Sequence, residues 1–360
     1  ELRRRGASVR AVMTESARSI VHPWAVEFAT DNPVVEEITG EIEHVDLCGV
    51  DGWADVFLLA PATANTVGKM AAAIDDTPVT TTATTALGAD VPVVIAPAMH
   101  EPMYEHPGVL DAIERVESWG VSFVDPRIEE GKAKIAGHEA IVLETARSVG
   151  DRPLEGKRVV VTSGATAEPI DPVRILTNRA SGKTGRAVAA ACYALGAEVI
   201  LVHGDGEVPY ADVRGAETAA EMLDAVEEAV PGADALVSAA AISDYTVEEA
   251  AEKIRSGKDV TLDLEPTPKL IDAIRESHPD LPIVGFKAET GGDDAEAVTV
   301  ARELLERVDL SFVVANDADV MGDDETRATI VRSDDEIVFE GTKTDLGMRI
   351  AEELAETFPV

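Results

Sequence analysis

The chain has 360 residues, of which 45% are hydrophobic, so it is long enough for two folded domains and too apolar for general disorder. Its 68 acidic and 31 basic residues give a formal net charge of −37, which repels nucleic acid and anionic membranes and excludes both as expected partners. Such an acid excess is typical of proteins from salt-loving organisms; an ordinary acidic cytosolic protein is the alternative.

The cysteines and the hydropathy indicate the compartment. Cys48 and Cys192 stand far apart and have no metal-ligand spacing, which favours a reducing cytoplasm over a disulfide framework. No apolar run is long enough to span a bilayer. We therefore expect a cytoplasmic protein.

The first half of the chain alternates short apolar runs with helical patterns. Residues 1–6 are typical of the end of a helix with a glycine stop, so we expect a strand and a loop to precede Glu1. Strands are then expected at 7–13, 55–60, 91–96 and 121–124, with a helix through Met70 and Ile74. This alternation predicts a doubly wound α/β domain whose polar loops lie on one edge.

Polar residues follow these strands. Thr14-Glu15-Ser16 comes after the first strand, and the sequence PATANT at 61–66 comes after the second. His44 precedes the second strand, and His100 ends the turn after the third. A histidine at a binding edge can act as acid or base near neutral pH, although each one taken alone is more often structural.

The stretch at 156–185 organises the second half. A buried strand at 159–162 is followed by the small, hydroxyl-bearing turn 163–166, a position where α/β folds bind phosphorylated ligands; a plain strand–helix connection is the alternative. Two prolines within 168–174 predict a rigid loop. Ser181-Gly182-Lys183 then opens a helix and offers donors to an anion. Because position 177 is threonine, the P-loop pattern is incomplete.

Further strands are expected at 198–202, 234–239, 260–264, 283–286 and 312–315, followed by a hairpin at 327–332 and 336–340 and a terminal helix. The polar linker at 151–153 places the domain boundary near residue 152, giving domains 1–150 and 151–360. No GxGxxG follows a strand, which disfavours a nicotinamide-dependent dehydrogenase.

Several of these motifs resemble known families. The segments 61–66 and 97–104 (PAMHEPMY) are similar to flavin-dependent cysteine decarboxylases, and 156–185 resembles the phosphopantothenate–cysteine ligase signature. Together they resemble the bifunctional phosphopantothenoylcysteine decarboxylase/phosphopantothenate–cysteine ligase family of coenzyme A synthesis. The resemblance implies a flavodoxin-like flavoprotein decarboxylase domain followed by a Rossmann-like ligase domain. A ligase whose first domain is a non-catalytic flavin-binding or regulatory module is the alternative.

In the first domain the resemblance implies FMN, with His44 as the catalytic histidine. The implied FMN-binding residues are Thr14, Ser16, Thr63, Asn65 and Thr66. His100 and Met103 fall at substrate-binding positions, where His100 replaces an asparagine that holds the substrate carboxylate and Tyr104 replaces a tryptophan. A histidine can still donate a hydrogen bond to a carboxylate.

Two features depart from that family. The glycine-serine loop for the flavin phosphate is expected before Glu1. Where bacterial members carry a catalytic cysteine after a flexible clamp, this chain reads GKAKIAG at 131–137. Either another group reprotonates the product or this half is slow or inactive. Lys132 and Lys134 either contact substrate or are solvated loop charges.

In the second domain the resemblance implies condensation of 4'-phosphopantothenate with cysteine through an acyl-cytidylate, with CTP as co-substrate and Mg²⁺ as cofactor, its ligands not indicated. Asn178 and Lys253 fall at catalytic positions. The implied substrate-binding residues are Ala240, Asp244, Pro268, Lys269, Leu270, Ile271 and Phe286. Leu304 and Val308 occupy the places of two family lysines; Arg302 and Arg307 either replace these or are exposed helix charges. The resemblance also implies a homo-oligomer, with trimeric decarboxylase and dimeric ligase domains.

Overall fold

The computed structural model describes residues 1–257, 259–289, 294–317 and 325–359. The chain divides after Gly150 into two compact units, Glu1–Gly150 and Asp151–Val360. Within the described ranges, no helix combines the length and apolar character that a membrane crossing needs.

The first unit is a small α/β structure that opens with the 3₁₀-helix Leu2–Arg5. Its strands are β1 (Ala11–Val12), β2 (Val34–Val35), β3 (Phe57–Ala62), β4 (Val93–Pro97), β5 (Met99–His100), β6 (Ser122–Phe123), β7 (Arg127–Glu129) and β8 (Lys132–Lys134). Its helices are α1 (Glu15–Arg18), α2 (Pro23–Thr30), α3 (Glu43–Cys48), α4 (Ala64–Ala71), α5 (Pro78–Gly88), α6 (Glu101–Tyr104), α7 (Pro107–Glu117) and α8 (His138–Val149).

Parallel strands form the centre of this unit. They run in the order β3–β4–β6, and β1 and β2 form a separate parallel pair. One hydrophobic cluster joins Leu47 of α3, Ala62 of β3 and Val67 of α4, with Val12 of β1 packed against it. The polar segments that follow β1 and β3 are therefore attached to a common core.

The second unit carries a larger sheet. Its strands are β9 (Arg158–Thr162), β10 (Ala167–Asp171), β11 (Arg174–Thr177), β12 (Glu198–His203), β13 (Asp212–Gly215), β14 (Ala235–Ser238), β15 (Tyr245–Val247), β16 (Leu264–Pro266), β17 (Ile283–Glu289), β18 (Phe312–Asp317), β19 (Glu325–Val331) and β20 (Glu336–Thr342). Its helices are α9 (Lys183–Ala194), α10 (Ala219–Ala229), α11 (Leu270–Ser277), α12 (Asp294–Val308) and α13 (Lys343–Ala355).

Eight strands form the main sheet in the order β13–β12–β9–β14–β17–β18–β19–β20. The first six strands in this order run parallel to one another. Strand β19 pairs antiparallel with β18, and β20 pairs antiparallel with β19. Because strand order reverses between β9 and β14, this is the topological switch point, outside whose carboxyl edge open α/β sheets bind ligands.

Helices cover both faces of this sheet. Met222 of α10, Ile274 of α11 and Leu305 of α12 share one cluster with Val160 of β9. Side chains alternate along a strand, so Val161 is directed to the opposite face, on which we place α9 and α13. These two helices pack tightly together, since a β-carbon at Gly347 of α13 would lie 2.6 Å from the Ala187 oxygen of α9.

The structure corrects the prediction of a rigid loop at 168–174. This segment belongs to the antiparallel hairpin β10–β11. Proline is compatible with a strand edge that makes no ladder bond, so Pro169 does not prevent pairing. The buried carboxylate of Asp171 accepts the backbone N–H groups of Val173 and Arg174 at 2.9 and 3.0 Å and fixes the turn.

Several predicted boundaries also shift. The strand at 7–13 shortens to β1 because residues 7, 8 and 10 are exposed. The strand at 55–60 begins two residues later, where Phe57 pairs with Val93. Helix α4 ends before Ile74, because Ala73 adopts φ 54° and turns the chain. The strand expected at 260–264 is instead β16, which pairs with β15. The C-terminal hairpin is confirmed.

Candidate functional site

In the first unit, PATANT runs from the end of β3 into α4. Thr63 is the N-cap residue of α4, but its side chain makes no capping hydrogen bond to the helix backbone. Its hydroxyl instead lies 3.2 Å from that of Thr66. Thr63 and Asn65 are both exposed. The start of α4 therefore presents hydroxyl and amide groups beside a positive helix end, which suits a phosphate-bearing cofactor.

The two candidates after β1 have different environments. The Thr14 hydroxyl accepts the backbone N–H of Ala17 at 3.1 Å and caps α1, so its acceptor is already in use. Ser16 is exposed in the first turn of that helix. Their flavin-binding role stays a prediction.

His44 lies in the first turn of α3. Its Nδ1 atom is buried and has no hydrogen-bond partner among the described residues. Leu47 and Cys48 of the same helix pack in the cluster that contains Ala62 and Val67, on either side of the 63–66 motif. A buried imidazole nitrogen without a partner costs free energy unless a ligand or water satisfies it, so this position fits a cofactor or substrate contact.

His100 and the region expected to be a clamp form one small sheet. Strand β5 pairs with β8, which places His100 opposite Lys132, and β8 pairs in turn with β7. The Lys134 ammonium donates to Glu129 at 3.0 Å and to Glu130 at 3.1 Å, and these contacts raise the pKa of Lys134. Of the two lysines, Lys132 is thus the one placed beside His100.

Met103 and Tyr104 end the same region, in α6. Met103 is 46% exposed. Burial raises the pKa of Tyr104, and the nearby carboxylates of Asp125 and Glu117 raise it further, so Tyr104 stays protonated at neutral pH.

In the second unit, a cavity of about 740 Å³ lies at the carboxyl edge of the sheet. Most of the predicted ligase residues line it: Asn178, Ala240, Asp244, Pro268, Lys269, Leu270, Ile271 and Phe286. They come from the segment after β14, the start of α11, the region between β11 and α9, and, for Phe286, strand β17. These segments bring polar groups together at one edge of the sheet.

Hydrogen bonds across the switch point fix the rear wall of this cavity. The Thr162 hydroxyl accepts the Ala240 N–H at 3.1 Å, and the Thr166 hydroxyl accepts the Ser243 N–H at 2.9 Å. The amide of Asn178 donates to the Ala241 carbonyl at 3.0 Å. Sequence reasoning noted the hydroxyl-bearing turn 163–166, but not that its Thr166 and the preceding strand residue Thr162 hold the neighbouring loop.

Two ion pairs stand at the α11 side. Lys269, the N-cap residue of α11, contacts the Asp244 carboxylate. Arg307 of α12 lies 2.6 Å from Asp272 of α11, and both line the cavity. Arg302 instead donates to the Ser333 carbonyl at 3.0 Å and to Glu336 at 2.6 Å, away from the cavity wall. Of the two arginines considered as replacements for the family lysines, Arg307 lines the cavity and Arg302 does not.

Lys253 is not among the residues that line the cavity. It is exposed in the irregular segment between β15 and β16. The backbone of the next residue, Ile254, is held by Asp171 and Arg174 of the β10–β11 hairpin. A catalytic role for Lys253 stays a prediction.

Basic side chains outnumber acidic ones in the lining of this cavity, whereas acidic residues outnumber basic ones in the whole chain. Its lining includes five basic side chains, Arg179, Lys269, Lys287, Arg307 and Lys343, and three acidic ones, Asp244, Asp272 and Glu303. A chain with 31 basic and 68 acidic residues thus gathers cations here, as an anionic ligand requires. Within the described ranges, no three His, Cys, Asp or Glu side chains are grouped as a metal site.

Comparisons with known proteins agree with this division. Residues 1–150 match the Flavoprotein family, and residues 154–358 match the DNA/pantothenate metabolism flavoprotein C-terminal domain. The coenzyme A biosynthesis bifunctional protein CoaBC of Thermococcus kodakarensis is 50% identical over 340 residues, covering 93% of this chain and 84% of that protein. Its counterpart in Methanocaldococcus jannaschii is 36% identical over 360 residues, covering 98% and 88%.

A solved structure supports the fold of one unit. The crystal structure of the DNA/pantothenate metabolism flavoprotein from Streptococcus pneumoniae is 26% identical, covers 56% of this chain and 99% of its own, and superposes with a TM-score of 0.51.

Proposed function

The chain belongs to the family of bifunctional coenzyme A biosynthesis proteins, and on this premise we propose how its residues divide the work of its two activities. It is a phosphopantothenate–cysteine ligase and a phosphopantothenoylcysteine decarboxylase in one chain, with a flavoprotein domain first and the ligase domain second. Similarity to a bifunctional relative over 93% of the chain disfavours a non-catalytic first domain.

For the ligase we propose CTP as the co-substrate. A carboxylate oxygen of 4'-phosphopantothenate bonds to the α-phosphorus of CTP, and the bond to the pyrophosphate leaving group breaks. The amine of cysteine then bonds to the acyl carbon, CMP leaves, and the amine proton passes to solvent. Negative charge develops on phosphate oxygens in the first step and on the acyl oxygen in the second, so fixed donors accelerate both.

The cationic cavity at the switch point is the observation that carries this proposal. Asn178 lies on its rear wall, where the side-chain amide can face the acyl group. Lys269 and Arg307 stand at the α11 side, where they can exchange Asp244 and Asp272 for phosphate oxygens. Mg²⁺ needs only one or two carboxylates beside nucleotide phosphates, so Asp244, Asp272 and Glu303 suffice to accompany it without a preformed cluster.

Pyrophosphate release with each of the four nucleoside triphosphates tests nucleotide choice. The intact protein should turn over fastest with CTP in the presence of 4'-phosphopantothenate, cysteine and Mg²⁺. Equal or faster turnover with ATP would refute CTP as the co-substrate. Omission of cysteine should leave one equivalent of pyrophosphate per active site, since the first step does not need the amine.

For the decarboxylase we propose that the flavin is FMN, held at the start of α4 by Thr63, Asn65 and Thr66. When bound, the flavin supplies the oxidation and reduction that make loss of CO₂ possible. His44 takes the proton of the substrate thiol; its buried Nδ1 without a partner among the described residues supports a contact with a ligand. His100 and Lys132, opposite each other on β5 and β8, can bind the substrate carboxylate.

Three further properties remain part of the proposal. The acid excess supports a requirement for salt, which would screen repulsion within the chain. The thiols of Cys48 and Cys192 are buried, and burial raises their pKa values to about 11 and about 12, which suits unreactive cysteines in a cytoplasmic protein. Oligomers of trimeric and dimeric domains are expected from the family resemblance.

A further inference from the structure

A buried histidine ends strand β12 and does not line the ligase cavity. His203 is 1% exposed, and its Nδ1 atom has no hydrogen-bond partner among the described residues. Its Nε2 atom lies 2.9 Å from the Gly206 carbonyl oxygen, which can only accept, so Nε2 carries the proton and Nδ1 is a bare acceptor. A buried acceptor without a partner costs free energy that an apolar side chain would avoid. Because residues 199–202 of the same strand are all buried and apolar, local stability does not explain this histidine.

The histidine fixes the loop that follows β12. Through its bond to Gly206, His203 closes the turn 204–206, in which Gly206 has φ 46°. Asp205, in the middle of this turn, lies 3.5 Å from the guanidinium group of Arg186 on α9. The Asp205 side chain is 75% exposed, so the ion pair contributes little to stability. Its consequence is the orientation of Arg186.

Arg186 in turn holds the start of α9. Its Nη2 atom donates to the Ser181 carbonyl at 2.8 Å. Its Nη1 atom packs against Gly182, where a β-carbon would lie only 2.9 Å from it. The Ser163 hydroxyl also holds this turn, since it donates to the Gly182 carbonyl at 2.9 Å. Because Ser181 lines the ligase cavity, these contacts fix one wall of that cavity.

We propose that His203 and Arg186 are positioning residues of the ligase, a proposal that rests on the ligase function. Neither residue lines the cavity, so both act through other groups. His203 sets the turn 204–206, Asp205 orients Arg186, and Arg186 holds the Ser181 carbonyl. Groups that stabilise charge on reacting phosphate and acyl oxygens are most effective when they are fixed before the reaction, so a loosened wall lowers turnover. The free-energy cost of the unpartnered Nδ1 is then tolerated for function.

Opposite effects on turnover and on stability test this role. Pyrophosphate release by the intact protein is measured with 4'-phosphopantothenate, CTP, cysteine and Mg²⁺, well below the thermal midpoint. His203→Leu should lower kcat roughly 3- to 10-fold, as for loss of one hydrogen bond, and leave the thermal midpoint unchanged or higher. Gly206 is exposed, so water can hydrate its carbonyl once the histidine is absent. His203→Gln should retain most of the turnover, because its amide can donate to the same carbonyl.

Arg186 supplies the second arm of the experiment. Arg186→Gln should lower kcat by a factor similar to that of His203→Leu. The double variant should be no slower than the slower single variant, because the two residues act in one series of contacts. Arg214→Gln is the matched control and should leave kcat unchanged, since Arg214 pairs with Asp212 on the neighbouring strand β13 and does not line the cavity.

Several outcomes would overturn the proposal. Wild-type kcat in His203→Leu, or a kcat in His203→Gln as low as that in His203→Leu, would contradict it. A lower thermal midpoint in His203→Leu would show that the histidine serves stability instead. If His203→Leu does not fold, wild-type kcat in Arg186→Gln overturns the proposal. Wild-type protein that releases no pyrophosphate would instead refute the ligase function itself.

Discussion

The buried carboxylate of Asp171 accepts the backbone N–H of Ile254 at 3.0 Å, so the β10–β11 hairpin holds the segment that carries Lys253. The guanidinium of Arg174 donates to the carbonyl of the same residue, Ile254. The hairpin thereby binds both backbone groups of Ile254. The position of Lys253 depends on this contact rather than on a helix or a strand of its own.

Asp171→Asn should therefore act through Lys253. The amide keeps the size of the carboxylate but directs an N–H₂ group at backbone donors, which loosens the segment. Lys253→Gln should lower ligase turnover about 10²-fold if Lys253 stabilises phosphate charge, and Asp171→Asn should lower it by a smaller factor. The double variant should be no slower than Lys253→Gln, as expected for residues acting as a unit.

Asp212→Asn is the matched control, because Asp212 is exposed and pairs only with Arg214 of its own strand among the contacts described for it. It should leave turnover unchanged. Losses that simply multiply in the Asp171/Lys253 double variant would show that the two residues act independently.

The same carboxylate predicts a pH dependence of stability. Burial alone raises the pKa of Asp171, but backbone donors from Ile254, Val173 and Arg174, together with the Arg174 charge, outweigh it and lower the pKa. Its stabilising contribution is then complete above the unfolded-state pKa of about 3.9 and disappears as the pH falls through the lower folded-state value. The difference in denaturation midpoint between wild type and Asp171→Asn should be constant between about pH 5 and about pH 7. It should shrink below about pH 4. A difference that persists in stronger acid would contradict this.

Two arginines of α12 give a matched pair for the nucleotide wall. Arg307→Gln should raise the KM for CTP roughly 10-fold, because it removes a cation from the cavity. Arg302→Gln should leave that KM unchanged and instead lower the thermal midpoint, since Arg302 bonds to Ser333 and Glu336. Pyrophosphate-release kinetics and thermal unfolding of both variants decide the matter; an equal rise in KM would mean that neither arginine is specific to the site.

Substitution of His44 should separate flavin binding from decarboxylation. His44→Asn in the intact protein should retain flavin absorbance and lose CO₂ release, because an amide cannot take the thiol proton. His100→Ala should mainly raise the KM for the cysteinyl substrate. His22→Asn is the control, since His22 caps α2 through its Nδ1 and contacts the Trp24 ring, and asparagine is an effective cap. Wild-type CO₂ release by His44→Asn would disprove the assignment.

A small-residue contact sets the position of α9. A β-carbon at Gly185 would lie 2.7 Å from the Ser163 hydroxyl and 2.9 Å from the Thr162 carbonyl. Gly185→Ala should therefore destabilise the ligase domain by about 1–3 kcal/mol through overpacking. Gly88→Ala in α5, where nothing lies within 4 Å, should instead stabilise its helix by about 0.5–1 kcal/mol. Denaturant unfolding of both variants checks the opposite signs.

Sequence patterns predicted the α/β class, and the quoted motifs predicted the family; the ligase site residues that the resemblance implies stay a prediction. The segment after β14 and the start of α11 follow strands or open a helix at one sheet edge, and parallel strands bring such segments together wherever they occur in the chain. Asn178, Asp244 and Lys269 were implied by the family resemblance, and the shared sheet edge explains why all three line one cavity. His44 was found only by resemblance, because a single histidine carries no periodic signal.

The neighbours of these segments became known from the three-dimensional fold. Two prolines indicated a loop at 168–174, but an edge hairpin tolerates them once Asp171 fixes its turn. Both Arg302 and Arg307 lie near the two unmatched family lysines in the sequence, yet of the two Arg307 alone lines the cavity. Local sequence patterns predict the terminal helix that Lys343 begins. The burial of Lys343 depends instead on how α9 and α13, which are far apart in the chain, pack together. Such long-range packing depends on the shape of the whole core, which local sequence patterns do not encode.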